Sequence, residues 1–293
     1  MQQFIGLFAV LFAGIGFGFL GIFGKLAFDT GMPVGLLLSL RFFIAGLILL
    51  LGMLLFQRKL ILLSRKQILI SCFLGFFGYA VFSSLYFMSI EGLSVSLSAM
   101  LLFTFPLFVN LGEHFILKNK MTIFEIANLI VAFIGLIFLM WGPVFFESFI
   151  YILYALGAAL TYSIYVLVSG QAQKNVHPLS SSLYVIFSAA FGLWIFHSPN
   201  LTSDIFFMHQ NQWLYVLGLS VLCTILPISL FLWGLQKMKS GLASLIVMIE
   251  PVVAALAAWL LLDETLHLLQ YFGMLLVLGS LITGSIKKLK SRT

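Results

Sequence analysis

Charge is what this sequence has least of. Only 8% of its 293 residues are Asp, Glu, Lys or Arg, and 62% are hydrophobic, whereas a soluble domain carries roughly 25% charged residues. That excludes an ordinary water-soluble enzyme. Mean hydropathy is +1.17, and no polar stretch is long enough to fold separately, which excludes a soluble domain on a single anchor. Cysteine is nearly absent. Cys72 and Cys223 each lie inside an apolar run, so there is no disulfide framework and no thiolate metal pair, and both read as packing residues. The five histidines, His114, His177, His197, His209 and His267, form no His-x-x-x-His or His-x-x-Glu pair, which argues against a zinc site. No Gly-x-x-x-x-Gly-Lys-Ser/Thr run is present, so the chain has no ATP-hydrolysing part of its own. No cofactor and no metal are expected.

What is there is a series of long apolar runs. A helix satisfies its own backbone hydrogen bonds in hydrocarbon, and about 20 apolar residues cross the roughly 30 Å core. That ruler predicts ten spans: 6 to 26, 34 to 56, 68 to 88, 95 to 116, 122 to 141, 149 to 169, 179 to 197, 212 to 235, 241 to 262 and 268 to 286. The connections carry turn and breaker residues, as in Asp29-Thr30-Gly31-Met32-Pro33, Trp141-Gly142-Pro143 and Ser198-Pro199-Asn200. The N-terminus lacks the basic region of a signal peptide and reads as a retained first helix.

The net charge of +6 is not a nucleic-acid patch. Arg58, Lys59, Arg65 and Lys66 follow the second span, Lys118 and Lys120 the fourth, Lys174 the sixth, and Lys237 and Lys239 the eighth. Lys287, Lys288, Lys290 and Arg292 close the chain. All fall on one side, while Asp29, Glu147, Asp204, Asp263 and Glu264 fall on the other. The positive-inside rule then predicts that both termini are cytoplasmic.

An offset of 145 residues carries Pro33 onto Pro178 and Pro106 onto Pro251, and it also pairs Ser84 with Ser229 and Leu97 with Leu242. Two prolines at one offset, with repeated span lengths, indicate an internal duplication, 1–145 and 146–293. Five spans per half is odd, so the second half enters the membrane upside down. The predicted fold is an all-α polytopic membrane protein of ten transmembrane helices in two inverted five-helix repeats, an arrangement typical of secondary transporters.

Phe17-Gly18, Lys25, Pro33, Arg41-Phe42, Tyr86, the Ser94 to Ser98 stretch and Pro106 mark the first half. The second carries Trp233-Gly234-Leu235, Gly241-Leu242-Ala243-Ser244, Glu250-Pro251-Val252, Leu262-Asp263-Glu264-Thr265, Gln270 and Gly273. Across essentially its whole length the chain resembles the EamA type of the drug/metabolite transporter superfamily. The resemblance implies ten helices in two inverted halves, movement of small metabolites, often outward from bacterial cytoplasm, and a central cavity built from spans 1, 3, 4, 6, 8 and 9. Phe105 stands where the second half has Glu250, Lys118-Asn119-Lys120 replaces Asp263-Glu264-Thr265, and Phe17 replaces a common tryptophan. No symmetric role for two carboxylates follows.

Glu250 is the most informative candidate. It lies about ten residues into the ninth span, roughly 14 Å deep, where an ionisable group usually faces a cavity or a partner. Pro251 leaves the carbonyl of Val247 without its helical donor. The pair reads as a polar spot serving solute or proton, or else as a neutral carboxyl bonded to a neighbouring helix. Pro106 and Pro227 free the carbonyls of Leu102 and Cys223 in the same way, marking helix breaks. Lys25 is expected to reach an outward vestibule, and Arg41 to snorkel to the outer headgroups. Tyr79, Tyr86, Tyr162 and Trp233, with Ser98 and Ser244, complete the candidate solute-binding set; Tyr86 and Trp233 occupy nearly equivalent places in spans 3 and 8. The glycines of span 1, Gly14, Gly16, Gly18, Gly21 and Gly24, read as packing residues. Glu113, His114 and Glu125 read as solvated interfacial groups.

The expected function is secondary transport of a small amphipathic, amino-acid-like or aromatic metabolite across a bacterial inner membrane, outward, by alternating access. The expected partners are that solute and membrane lipid, with no nucleic acid and no ATPase subunit, and a homodimer left open. The competing readings are an intramembrane lipid-modifying enzyme using Glu113 and His114, and a passive channel.

Overall fold

The computed structural model describes residues 2–142, 146–197, 208–262 and 265–290. Among these, nine helices are long and apolar enough to cross a membrane: α1 (Phe4–Asp29), α2 (Val34–Phe56), α3 (Arg65–Gly92), α4 (Val95–Phe115), α6 (Phe149–Ala172), α7 (Pro178–His197), α8 (Gln210–Leu235), α9 (Ser240–Leu261) and α10 (Leu268–Ile286). The tenth, α5 (Ile123–Leu139), has 17 residues, about 25 Å at 1.5 Å per residue. The breakers Pro143 and Ser198-Pro199-Asn200, the acids Asp204, Asp263 and Glu264, and Arg292 lie outside the described residues, as do the side chains of Lys287, Lys288 and Lys290.

Local chemistry fixes the ends. Ser64 caps α3 in a reciprocal box: its backbone N–H donates to Gln67 Oε1 at 3.0 Å while Gln67 N–H donates back to Ser64 Oγ at 3.4 Å. That cap draws α3 outward to Arg65, beyond the apolar edge expected at 68. Thr122 and Glu125 cap α5 identically, with Thr122 N–H 2.8 Å from Glu125 Oε2, so Glu125 satisfies orphan helix donors rather than simply facing solvent. Between α1 and α2 the chain turns through Gly31 at φ 81°, donating to Phe28 O at 2.8 Å, a backbone region that suits a residue without Cβ.

The two repeats interlock. α1 packs on α8 and α9, and α6 packs on α3 and α4, the same pairings related by the duplication; α2 packs on α7 and α5 on α10. The last pair lies at the periphery and is tightly joined. A Cβ on Gly135 would stand 2.9 Å from Gly273 O, Asn128 Nδ2 donates to Ser280 O at 2.7 Å, and Ser280 Oγ donates to Asn128 O at 2.8 Å. Small residues and interhelical hydrogen bonds supply the association that lipid does not.

Four spans are interrupted in matching places. α4 breaks after Leu102 and resumes at Phe105, and α9 breaks after Val247 and resumes at Ile249, as Pro106 and Pro251 require. α3 widens to a π-helical stretch at Leu74–Ala80 and α8 at Val221–Ile225. In α8 the cause is Pro227, which donates nothing to the preceding turn. In α3 no proline is present; Gly75 there admits the Val185 carbonyl of α7 where a side chain would otherwise stand.

Candidate functional site

The helix breaks surround a central chamber of about 210 Å³ lined by α1, α2, α3, α4, α6 and α9. Its aromatic walls are Phe17, Phe82, Phe87, Phe103 and Phe105, and its polar groups are Tyr79, Tyr86, Tyr162, Arg41, Glu250 and Ser83, the last not singled out from the sequence. Leu20, Gly21, Leu38, Arg41, Tyr86 and Phe87 also line a vestibule of about 1000 Å³, so the two spaces adjoin. The vestibule holds Lys25, Asp29, Glu91 and His197 and marks the acidic face of the protein. The opposite, basic face carries Arg58 to Lys66, Lys118, Lys120, Lys174, Lys237 and Lys239.

Toward the basic face the chamber ends on packed aromatic rings. Tyr79 meets Tyr165 edge to face at 4.8 Å, Phe105 meets Tyr162 at 4.7 Å, and Tyr162 stacks on Tyr165 at 5.8 Å. Tyr165 and Phe105 are fully buried. Edge-to-face and offset contacts of this kind add cohesion beyond the area they bury, and they make a closed floor.

Glu250 enters from the first turn of the resumed half of α9, Ile249–Leu261. The first turn of that half-helix, with backbone N–H groups that have no partner within the helix, therefore lies beside the carboxyl group. The resumed half of α4, Phe105–Phe115, likewise starts at the chamber with Pro106 in its first turn. Both broken helices thus turn N-terminal ends toward one cavity, the arrangement in which irregular backbone is tolerated at membrane depth.

Arg41 corrects the sequence expectation. It does not snorkel outward; it is 5% exposed. Its Nε donates to Thr224 Oγ1 at 2.6 Å and its Nη2 to Cys223 O at 3.2 Å, with its guanidinium carbon 4.9 Å from the centroid of the Phe42 ring. The receiving carbonyl is the one that Pro227 deprives of its helical donor. The break in α8 therefore binds the arginine of α2 behind the chamber wall, and α8 itself contributes no lining residue there.

Of the residues singled out from the sequence, Tyr79, Tyr86, Tyr162, Glu250 and Pro251 line the chamber, and Lys25 and Tyr86 line the vestibule. Ser98, Ser244 and Trp233 do not line either. Ser98 and Ser244 are fully buried between helices, Ser244 Oγ donating to Gly241 O at 2.9 Å, because their helical positions face neighbouring spans. Trp233 is 38% exposed; near the end of α8 its ring lies on the outer surface, so its sequence equivalence to Tyr86 does not become spatial equivalence. Pro106 and Pro227 act through backbone, as described. Glu113, expected to be solvated, is 5% exposed. The helix-packing role holds for Gly14, Gly16 and Gly18, whose Cβ positions are occupied by Ile249, Pro227 and Val253, but not for Gly21, which has no neighbour within 4 Å, or Gly24, whose sole neighbour is Phe28 at 3.8 Å; both line the vestibule.

The family profile of EamA-like transporters matches residues 4–141 and again 149–285. The chain belongs to the EamA-like transporter family. It lies within the drug/metabolite transporter superfamily and is a multi-pass membrane protein. This EamA-like chain is 27% identical over 209 residues to a protein of Archaeoglobus fulgidus named as an uncharacterized transporter, covering 70% of this chain and 74% of that one. It is 23% identical over 280 residues to the Bacillus subtilis protein named uncharacterized transporter YetK, covering 91% and 82%. A solved crystal structure superposes with a TM-score of 0.78 over 99% of this chain and 97% of that one at 17% identity, a likeness of fold. The relatives' names accord with transport rather than catalysis.

Proposed function

We propose that this EamA-like protein is a secondary transporter that carries a small amphipathic, amino-acid-like or aromatic metabolite outward across a bacterial inner membrane by alternating access. The observation that carries the reading is a vestibule adjoining the chamber that holds Glu250, with the packed Tyr79, Tyr162, Tyr165 and Phe105 rings on the chamber's other side. A carrier needs a site reachable from one side at a time, whereas an open channel needs a continuous passage. With the basic face assigned to the cytoplasm by the positive-inside rule, this conformation faces outward.

The chamber's chemistry supports the solute class. One carboxyl group and one guanidinium sit among aromatic walls, so a solute with an amino group, an anionic group and an apolar body meets complementary groups. A phosphate ester calls for clustered cations, and among the described residues Arg41 is the single basic residue of the chamber lining. The half-helix dipole at Glu250 and the tyrosine hydroxyls then orient the solute, and relative movement of the two repeats at the breaks of α4 and α9 would expose it to the cytoplasm.

The test is counterflow in proteoliposomes with phenylalanine, leucine and their decarboxylated and deaminated analogues, repeated across a pH gradient. Saturable exchange that Glu250→Gln abolishes or uncouples from the gradient, in protein that remains folded, is the expected result. Normal exchange by Glu250→Gln removes Glu250 from the mechanism, and non-saturable flux favours a channel.

A further inference from the structure

A second polar space lies on the basic face, apart from the central chamber. Two lobes of about 300 and 290 Å³ share Glu113, Asn119, Lys239 and Leu242, forming one groove between the basic-face halves of α4 and α9, with α5, α6, α8 and α10 around it. Glu113 is 5% exposed, and among the described residues no hydrogen bond or ion pair holds its carboxylate. Its carboxyl oxygens are not among the enclosed polar atoms that lack a partner, so they open into the groove.

Two acceptor oxygens converge there. Asn110 Nδ2 donates to Pro106 O at 2.7 Å, which fixes the amide and leaves Oδ1 as the free acceptor. That Oδ1 and Glu113 Oε2 both lie against Gly241; a Cβ at 241 would stand 3.2 Å from Glu113 Oε2 and closer still to Asn110 Oδ1. Across the same groove stand Lys239, Lys237 and Lys174. Lys174 Nζ donates to Gln171 Oε1 at 3.1 Å, and none of the three closes onto Glu113. The groove therefore brings acceptor oxygens of α4 and lysines together: Lys239 lines both lobes with Glu113, Lys237 and Lys174 line one, and Lys120 lines the other beside Asn110.

We propose that this groove is a second ligand site, which takes a small zwitterion with its ammonium on Glu113 Oε2 and Asn110 Oδ1 and its anionic group on Lys239, Lys237 and Lys174. Opposite charges lining one partly enclosed groove attract a ligand carrying the complementary pair more strongly than either charge alone. Two sources supply that chemistry on the cytoplasmic side: a free amino acid, and the phosphoethanolamine headgroup of a membrane lipid. Because the groove sits where α4 and α9 must part for the chamber to open toward the basic face, its occupant bears on that opening. The site does not depend on the solute carried by the central chamber.

The experiment uses full-length protein with Glu250→Gln as background, so that binding in the central chamber is removed and read separately by counterflow. Protein in phosphatidylglycerol nanodiscs is titrated with phenylalanine, phenethylamine and 3-phenylpropionate; in parallel, native mass spectrometry counts the phosphatidylethanolamine retained from mixed nanodiscs. Expected is phenylalanine binding at least tenfold tighter than either one-charge analogue, or retention of phosphatidylethanolamine over phosphatidylglycerol. In either arm the preference should be lost in Glu113→Gln and weakened in Lys239→Gln, with unchanged thermal midpoints. Absence of both, or equal binding by Glu113→Gln, overturns the proposal. If Glu113→Gln does not fold, Asn110→Leu and Lys239→Gln carry the same comparison.

Discussion

Arg41 Nε donates to Thr224 Oγ1 at 2.6 Å across 183 positions of sequence. The 145-residue offset carries Tyr79, a chamber residue of the first repeat, onto Thr224, which lies behind the wall in the second. The duplicated positions have diverged into different tasks: one is a ring facing the cavity, the other an acceptor that holds a buried cation in place.

Removing that acceptor tests the link. Thr224→Val keeps the shape but leaves a buried guanidinium short of one bond, at about 1.5–3 kcal/mol for a hydrogen bond to a charged group. The thermal midpoint of the purified protein is expected to fall, with solute affinity weakened as Arg41 shifts in the chamber wall. Thr224→Ser should restore both.

Glycines of α1 separate into two classes. Gly21 has open space where a side chain would point, whereas Gly14 meets the Ile249 side chain. Gly21→Leu is expected to obstruct the vestibule, cutting transport while leaving the thermal midpoint unchanged. Gly14→Leu is expected to overpack the α1–α9 contact and lower stability by about 1–3 kcal/mol. Gly52→Leu, also facing open space but away from the vestibule, should change neither.

Ser98 is fully buried, and among the described residues its hydroxyl has no partner. Ser98→Ala removes an unsatisfied group rather than a contact. Stability should hold or rise slightly, and counterflow kinetics should match the parent protein; loss of transport would mean that Ser98 meets solute in another conformation.

At the periphery, Asn128 bonds Ser280 through its side chain and backbone and accepts from Thr283 Oγ1 at 2.8 Å. Asn128→Leu keeps bulk and removes the side-chain bonds. A loss of about 1–3 kcal/mol follows from leaving these buried groups unpaired, seen as a lower thermal midpoint without altered solute preference.

Orientation is checked by labelling. In a chain lacking Cys72 and Cys223, Glu91→Cys should react with a membrane-impermeant maleimide added outside intact cells, and Lys174→Cys only after permeabilisation. The reverse pattern would invert the assignment of faces and make the observed conformation inward-facing.

The sequence by itself determined the ten apolar spans, the proline-marked breaks of α4, α8 and α9 and the family, because span length, proline and positional motifs are local properties; the π-helical stretch of α3 was not legible in it. Pro106, Pro227 and Pro251 disrupt helix hydrogen bonding wherever the chain folds, and Glu250 is conspicuous because charge is scarce at that depth. Only the tertiary structure decided which polar groups face one another. Arg41 looked like a snorkelling residue because its distance from the membrane edge is legible and its acceptors, 182 and 183 positions away, are not. Glu113 looked solvated because nearness to a helix end does not reveal the helices packed over it. Trp233, Ser98 and Ser244 shared the motif character of the chamber residues, yet side-chain direction around each helix and the packing of one repeat against the other turned them elsewhere. Depth is written along the chain, whereas facing depends on how ten helices pack together.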